Sequence, residues 1–495
     1  MSDRRLNILI AAAEVAPFAK VGGLADVAGA LPKALAALGH DVRVVMPCYK
    51  MIEDDARNAV SDLIPPFDAP ITQGYSERAW VRQTRIGSKI PVYLIASDQY
   101  FTDATESKKV YSLQAEPYIF FNRAVAEMVP RITPAWQPDI IHCNDWHTGL
   151  IPVYLELFYA RTPEWSRAAR IFTIHNLAYQ GEFPFELLQR AGLPESLFTY
   201  DKLEFYGQWS FMKGGLVFSD MVNTVSRTYA KEIQTPEYGC RLEGLLQWLD
   251  RQGRLTGIVN GIDYDEYNPA TDPRIPAHYS AAKPDGKKKC KQALQRECNL
   301  KEDPAVPIIG IISRLADQKG FDLIAEVADE LMALPLQLVV LGTGDARYEK
   351  LFRDLEAQNP GKVKAHIGFD ANLAQRIYAG SDMFLMPSRF EPCGLGQLMS
   401  MRYGTIPIVR STGGLADTVV DYTTQGGNGF AFTPYEPSAL LDAVVRALDT
   451  FKNKRAWKAL VRRAMEVDYS WTASAKEYER LYRKAQAAPR SAQAA

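Results

Sequence analysis

From Asn7 to Ala13 the chain is almost wholly apolar, the pattern of a strand buried on both faces of a parallel sheet. After a loop at Glu14–Gly23, the residues Leu24, Val27, Ala28, Leu31, Leu35 and Leu38 recur at helical spacing, and Gly39 sits where such a helix stops. Val42–Met46 reads as the next strand. The same strand–loop–helix–strand order returns late in the chain. Pro307–Ile312 predicts a strand, Ser313–Gly320 a loop, Phe321–Leu334 a helix, and Leu336–Leu341 a strand running into Gly342-Thr343-Gly344. Strand Val363–Ile367, helix Leu373–Ala379, strand Met383–Met386, loop Pro387–Gly394, helix Leu395–Tyr403 and strand Ile406–Val409 follow. In the first half, Asp139–His142, Arg170–Ile174 and Met221–Thr224 read as further strands with longer, less regular connections. Strands that alternate with helices imply parallel sheets covered on both faces.

One five-residue string occurs in both halves: Gly22-Gly23-Leu24-Ala25-Asp26 and Gly413-Gly414-Leu415-Ala416-Asp417. Each copy follows a strand and opens a helix. The repeat predicts an α/β chain of two Rossmann-like domains facing across a cleft. In such sheets ligands bind beyond the carboxyl ends of the strands. A polar stretch, Asp263–Pro304, separates the halves and places the boundary near Gly257–Gly261. Domain one is expected over 1–256 and domain two over 257–468. A helix at 469–485 and a frayed tail at 486–495 close the chain.

Composition narrows the function. A chain of 495 residues with 57 basic and 58 acidic groups has a net charge of −1. That balance argues against a nucleic-acid binder, which would carry a basic excess, and suits a neutral or small-molecule substrate. No apolar run reaches the length of a membrane span, and Glu14 and Lys20 interrupt the only segment resembling a signal peptide. Six cysteines without a Cys-x-x-Cys pair suit a reduced compartment, so a cytoplasmic location is expected.

Four groups of loop residues could carry chemistry. Lys20 with Gly22 and Gly23 would let backbone and a cation approach an anion at a helix start. Read alone, that string is equally a tight turn with a surface lysine. Arg314 and Lys319 flank one strand-to-helix turn, where two cations could clamp a diphosphate. Glu391, between Phe390 and Pro392 and before Cys393-Gly394-Leu395, is placed for sugar hydroxyls or for a cap. Cys393 reads as a packed thiol, having no evident base. His142, Asp145 and His147, with His175-Asn176 further on, have a spacing that could suggest a metal, but side chains alternating at a strand end explain it better. Asp263-Tyr264-Asp265 imitates a metal motif in a connector and is set aside. Trp136, Trp146 and Tyr118 could stack on sugar rings, though core packing is the commoner use of such residues.

Taken together, these loops resemble the ADP-glucose-dependent starch and glycogen synthase family. The resemblance spans nearly the whole chain. Its motifs are KVGGLADV (20–27), HCNDWHTGL (142–150), TIHN (173–176), VNGID (259–263), ISRLADQKG (312–320), SRFEPCGLGQL (388–398) and STGGLADTV (411–419). It implies the glycosyltransferase-B fold and transfer of glucose from a nucleotide sugar to the non-reducing 4-hydroxyl of an α-1,4-glucan. It also implies retention of anomeric configuration, with no metal or other cofactor. The partners implied are ADP-glucose and glycogen, with no nucleic acid and no membrane; oligomeric state stays open.

By the same resemblance, His175, Asp145, Glu391, Lys319 and Arg314 form the catalytic set. Lys20, Gly22, Gly23, Asn176, Asn260, Phe369, Cys393, Gly394, Leu395, Thr412, Gly413 and Gly414 join Arg314 and Lys319 around the donor. His175 would stabilise positive charge at the anomeric carbon, and Phe369 would stack on adenine. Domain one would take the acceptor, domain two the donor, and the last helix would cross back to domain one. Many retaining relatives carry a second glutamate eight positions after the first; here that position is Met399, which matches the starch and glycogen synthase branch. A front-face substitution through an oxocarbenium-like state is therefore favoured. The alternatives are another retaining nucleotide-sugar transferase of the same fold and a sugar-nucleotide binder without catalysis. A glucan phosphorylase fits less well, because no matching pyridoxal-phosphate lysine context is evident.

Overall fold

The computed structural model describes residues 4–132 and 136–488. The chain divides into two compact units. The first comprises the chain up to Val225, Ala230–Ile258, and the chain from Trp471 onward; the second comprises Ser226–Tyr229 and Val259–Ser470.

The first unit carries β1 (Asn7–Ala11), β2 (Asp41–Pro47), β3 (Ser61–Thr72), β4 (Tyr75–Ile86), β5 (Ile90–Ala96) and β6 (Ile140–Asn144). It continues with β7 (Ala169–Ile174), β8 (Glu182–Phe183), β9 (Glu204–Phe205), β10 (Gln208–Ser210), β11 (Met221–Thr224) and β12 (Leu255–Gly257). Nine of these form one sheet in the order β12-β11-β7-β6-β1-β2-β5-β4-β3, while β8, β10 and β9 form a separate small sheet. Pairing is parallel from β12 through β5 and antiparallel for β5–β4 and β4–β3. The central strands are buried along nearly their whole length, mostly by apolar side chains, with His142, Asn144, Thr173 and Asn223 as buried polar exceptions.

The edge hairpin β3–β4 is absent from the sequence expectation. Its signal is period-two alternation that changes phase between Val81 and Thr84: Ala79, Val81, Thr84 and Ile86 are buried while Ser76, Arg78 and Arg85 are exposed. Gly74, at a φ of 78°, makes the turn between the two strands.

The second unit carries β13 (Ile308–Ile312), β14 (Gln337–Gly342), β15 (Val363–Ile367), β16 (Met383–Met386), β17 (Ile406–Arg410) and β18 (Phe430–Phe432). They form a wholly parallel sheet in the order β15-β14-β13-β16-β17-β18. The helix expected over Phe321–Leu334 is two helices, Phe321–Glu326 and Ala328–Ala333. The break falls at Val327, whose backbone leaves the helical region at φ −113° and ψ 22° while its side chain stays in the core.

The last helix, Trp471–Ala487, belongs to the first unit and runs two residues into the expected tail; residues 489–495 lie outside the described residues. Trp471, Ala475, Tyr478, Tyr482 and Ala485 recur at three- and four-residue steps and are buried. Its two tyrosines reach into the sheet. Tyr482 Oη lies 2.9 Å from His142 Nδ1, and Asn223 Nδ2 donates to Tyr478 Oη at 3.3 Å. Thr173 Oγ1 donates to Asn223 Oδ1, so it must accept from His142 Nε2, and His142 Nδ1 in turn accepts from Tyr482. Burial lowers the His142 pKa to about 3, so the ring stays neutral. β6, β7, β11 and the last helix are thus tied by one buried polar network.

Candidate functional site

In the first unit, β1 lies between β2 and β6, where the order of strands reverses. Loops at the carboxyl ends of β1, β6 and β7 meet at such a switch point. The β1 loop carries Lys20, Gly22 and Gly23; Asp145 follows β6; His175 and Asn176 follow β7.

Glu14, read in the sequence only as a break in an apolar run, organises the first loop. It is 1% exposed, and its carboxylate accepts hydrogen bonds from the amides of Val21 and Gly22, the latter at 3.0 Å. Tyr111 also bonds to it. Burial raises the Glu14 pKa against the lowering effect of those bonds. The Val21 and Gly22 amides that the helix-start argument would offer to an anion are therefore already occupied. Lys20 is also engaged, its ammonium 2.6 Å from Asp26 Oδ1.

Asp145 holds a φ of 56°, an uncommon conformation for a residue with a side chain. Such strain gathers at functional sites. Asp145 Oδ1 accepts from the His175 amide at 2.7 Å, and the carboxylate also accepts from the Asn176 amide. Desolvation pushes the Asp145 pKa up to about 7, those amide bonds oppose the rise, and the charge on Glu14 adds to it. His175 Nε2 lies 2.9 Å from Asn144 Oδ1. The Asn144 amide nitrogen donates to Ala11 O and His142 O, so its oxygen must accept and His175 Nε2 carries the proton. Desolvation lowers the His175 pKa to about 3, leaving a neutral ring with a lone pair on Nδ1. His147, the third member of the apparent metal spacing, instead stacks between Tyr111 and Trp146, with ring centres 4.7 and 4.1 Å away. Trp136, Trp146 and Tyr118 are all buried.

In the second unit, β13 lies between β14 and β16 at an equivalent reversal. Lys319 Nζ, from the β13 loop, lies 2.6 Å from Glu391 Oε2 in the β16 loop. Ser388 Oγ donates to the same oxygen at 3.1 Å. Glu391 is buried, and its Oε1 accepts no hydrogen bond among the described residues. The two loops are stitched by Arg389 N donating to Gln318 O at 2.9 Å. The Arg314 side chain is exposed and makes no ion pair among the described residues.

The glycine repeat supports the same loop from beneath. A Cβ on Gly413, whose φ is 46°, would fall 1.9 Å from Glu391 O, and one on Gly414 would fall 2.1 Å from Cys393 O. The amide of Gly414 donates to Glu391 O at 3.1 Å. These glycines have a packing reason to be glycine, and Thr412 beside them is buried. Burial pushes the Cys393 thiol up to about 12, and Asn260 bonds to it, so Cys393 is a packed thiol. Leu395 is half-buried, with its side chain packed against the core. Phe369 is 86% exposed just beyond β15, where Gly368 N donates to Gly342 O at 3.0 Å.

Two family models match the chain: the starch synthase catalytic domain over residues 7–248 and the group 1 glycosyl transferases over residues 295–463. With two Rossmann-like units and polar loops at their strand ends, these matches define a glycosyltransferase of the glycosyltransferase-B fold. Glycogen synthase from Desulforudis audaxviator is 54% identical over 98% of this chain and 97% of its own. Glycogen synthase from Moorella thermoacetica is 49% identical over 98% and 97%. The catalytic domain of starch synthase IV from Arabidopsis thaliana, bound to ADP and acarbose, matches with a TM-score of 0.91 and 34% identity, covering 98% of this chain and 100% of that one. Sucrose-phosphate synthase from Thermosynechococcus elongatus, at 18% identity and a TM-score of 0.62, covers 97% and 99% and shares the fold. The chain belongs to the glycogen synthase family.

Proposed function

We propose that the protein transfers glucose from ADP-glucose to the non-reducing 4-hydroxyl of an α-1,4-glucan, retaining the anomeric configuration. The observation that carries this reading is the Lys319–Glu391 pair at two adjacent strand ends, with Arg314 exposed in the same loop as Lys319. Two cations there can neutralise a departing diphosphate. Glu391, anchored through Oε2, can turn Oε1 to a glucose hydroxyl. The starch synthase matched above is bound to ADP and acarbose, which agrees with a nucleotide-sugar donor and a sugar acceptor. Phe369 offers an open ring face for adenine.

The anomeric carbon–phosphate oxygen bond breaks, and the bond to the acceptor oxygen forms on the same face. The acceptor proton passes to the leaving phosphate. The neutral His175 ring and its carbonyl, with the Asp145 carboxylate behind, stabilise positive charge at the sugar carbon. Met399, at the position of a second carboxylate in many relatives, is buried and offers none.

The deciding experiment runs ADP-glucose and UDP-glucose in parallel with glycogen primer, then digests the product with β-amylase. Primer-dependent release of ADP and a digestible linear extension are expected. A faster reaction with UDP-glucose, or a covalent glucosyl-enzyme trapped on any side chain, would overturn the donor or the front-face mechanism respectively.

A further inference from the structure

The first unit holds a second concave site, of about 830 Å³, between the segment Tyr200–Tyr206 and the helix Glu243–Arg251. Its aromatic lining is Tyr200, Phe205, Tyr206, Phe218 and Trp248. Tyr200 is 85% exposed and Tyr206 67%, so two of the most exposed rings in the protein sit on one pocket. Large apolar surface left in water and gathered in one place marks a binding site. The pocket also carries Arg241 and Glu204. Arg241 lies over the Tyr206 ring at 4.6 Å and the Phe205 ring at 5.3 Å.

The pocket is built rather than accidental. Tyr206 and Arg241 both hold positive φ, 50° and 68°, at a cost that needs a reason. Lys213 is buried and spends its ammonium on the carbonyls of Tyr200 and Glu204, which fixes the wall carrying the rings. The wall is also tied to the β7 loop, since Gln180 Nε2 donates to Cys240 O at 2.9 Å.

We infer that this pocket holds a segment of the α-glucan chain away from its reacting end, an inference that rests on the glucan acceptor proposed above. A pyranose ring presents apolar C–H faces edged by hydroxyls. Exposed aromatic faces take the first, and flanking charged groups take the second. The lining carries Lys202 and Arg241 as well as Asp201 and Glu204, so groups of both signs stand at the edges of the aromatic faces, where sugar hydroxyls can donate and accept. A polymer anchored here stays close while its end is extended.

The test uses the full chain with Tyr200→Ala, Tyr206→Ala, the double variant and Tyr206→Trp, measured by retention in glycogen-containing native gels and by turnover on maltotriose. Because both tyrosines are exposed, thermal melting should match the wild type. The double variant should lose at least fivefold in apparent affinity for glycogen and rise at least fivefold in KM for it, with turnover on maltotriose unchanged. Tyr206→Trp should recover most of the loss. Retention of the double variant equal to wild type overturns the inference, as does a changed oligomeric state with glycogen retention intact, which would assign the pocket to a second protein chain. A wild type that transfers no glucose yet is retained through these two rings would instead overturn the proposed reaction and leave the pocket standing.

Discussion

The Lys319 ammonium and the Glu391 carboxylate lie 2.6 Å apart, and each comes from a different strand-end loop of the second unit. The pair is largely shielded from water, so removing either partner strands the other. Lys319→Ala is expected to lower kcat by at least about a hundredfold, the scale of losing one preorganised electrostatic partner. It should also cost roughly 2 kcal/mol of stability, because the buried Glu391 carboxyl is left without its partner. Adding Glu391→Gln should restore much of the melting temperature and none of the activity. Recovery of turnover in the double variant would show that the pair serves only the fold.

Asp145 and His175 predict the pH dependence. With Asp145 at about 7 and His175 at about 3, an ionisation near neutrality belongs to the carboxyl and not to the imidazole. The carboxylate is the form that stabilises positive charge, so kcat/KM should rise as pH increases through about 7. Asp145→Asn should lower the rate and flatten that limb, whereas His175→Gln should lower the rate and leave the inflection in place. Stability should move the other way. The native carboxyl holds its proton up to about 7 while the unfolded one loses it in the ordinary carboxylate range, so stability falls as pH rises through that window and levels above it. Urea titrations of wild type and Asp145→Asn at pH values across the window measure the difference.

Glu14 should act through the loop it holds. Glu14→Ala frees the Val21 and Gly22 amides and lets the Lys20 loop move. The expected result is a rise of about tenfold in donor KM with a smaller change in kcat, as for loss of a positioning group. Glu14→Gln, which keeps an acceptor oxygen for the amides, should recover most of the affinity. Equal donor KM in all three proteins would remove Glu14 from the site.

Tyr482→Phe removes one hydrogen bond from the buried network and leaves His142 Nδ1 without a donor. A cost of roughly 1–3 kcal/mol is expected for the unsatisfied ring nitrogen. Hydrogen exchange should speed up along β6 and β7 first, because His142 and Thr173 lie there. Uniform exchange across both units would argue that the network is no more than local packing.

The parallel strands were legible in the sequence because a strand buried on both faces must be apolar throughout, and β1, β13 and β14 have no other reading. The loops between them were legible as loops because glycine and charge cluster there, as at Lys20 and Arg314. The hairpin β3–β4 was not, since its half-buried alternation is interrupted by irregular register at Asp62, Ile64 and Pro70. The buried roles of Glu14 and His142 were equally hidden. A carboxylate in a loop and a histidine in a strand look the same in sequence whether they face water or each other, and only the approach of Val21, Tyr111 and Tyr482 decides it. The pocket at Tyr200 and Trp248 depends on residues far apart in the chain whose spacing follows no period.

The last helix has a consequence for how the protein is made. Everything it packs against in the first unit is synthesised before Ile258, yet the helix begins only at Trp471. Until that helix is made, His142 Nδ1 and Asn223 Nδ2 lack the tyrosine partners they have in the folded chain. A chain cut before Trp471 therefore lacks the two tyrosine hydroxyls that reach His142 and Asn223, so the long loop through the second unit has to be closed before the first unit has its full set of partners.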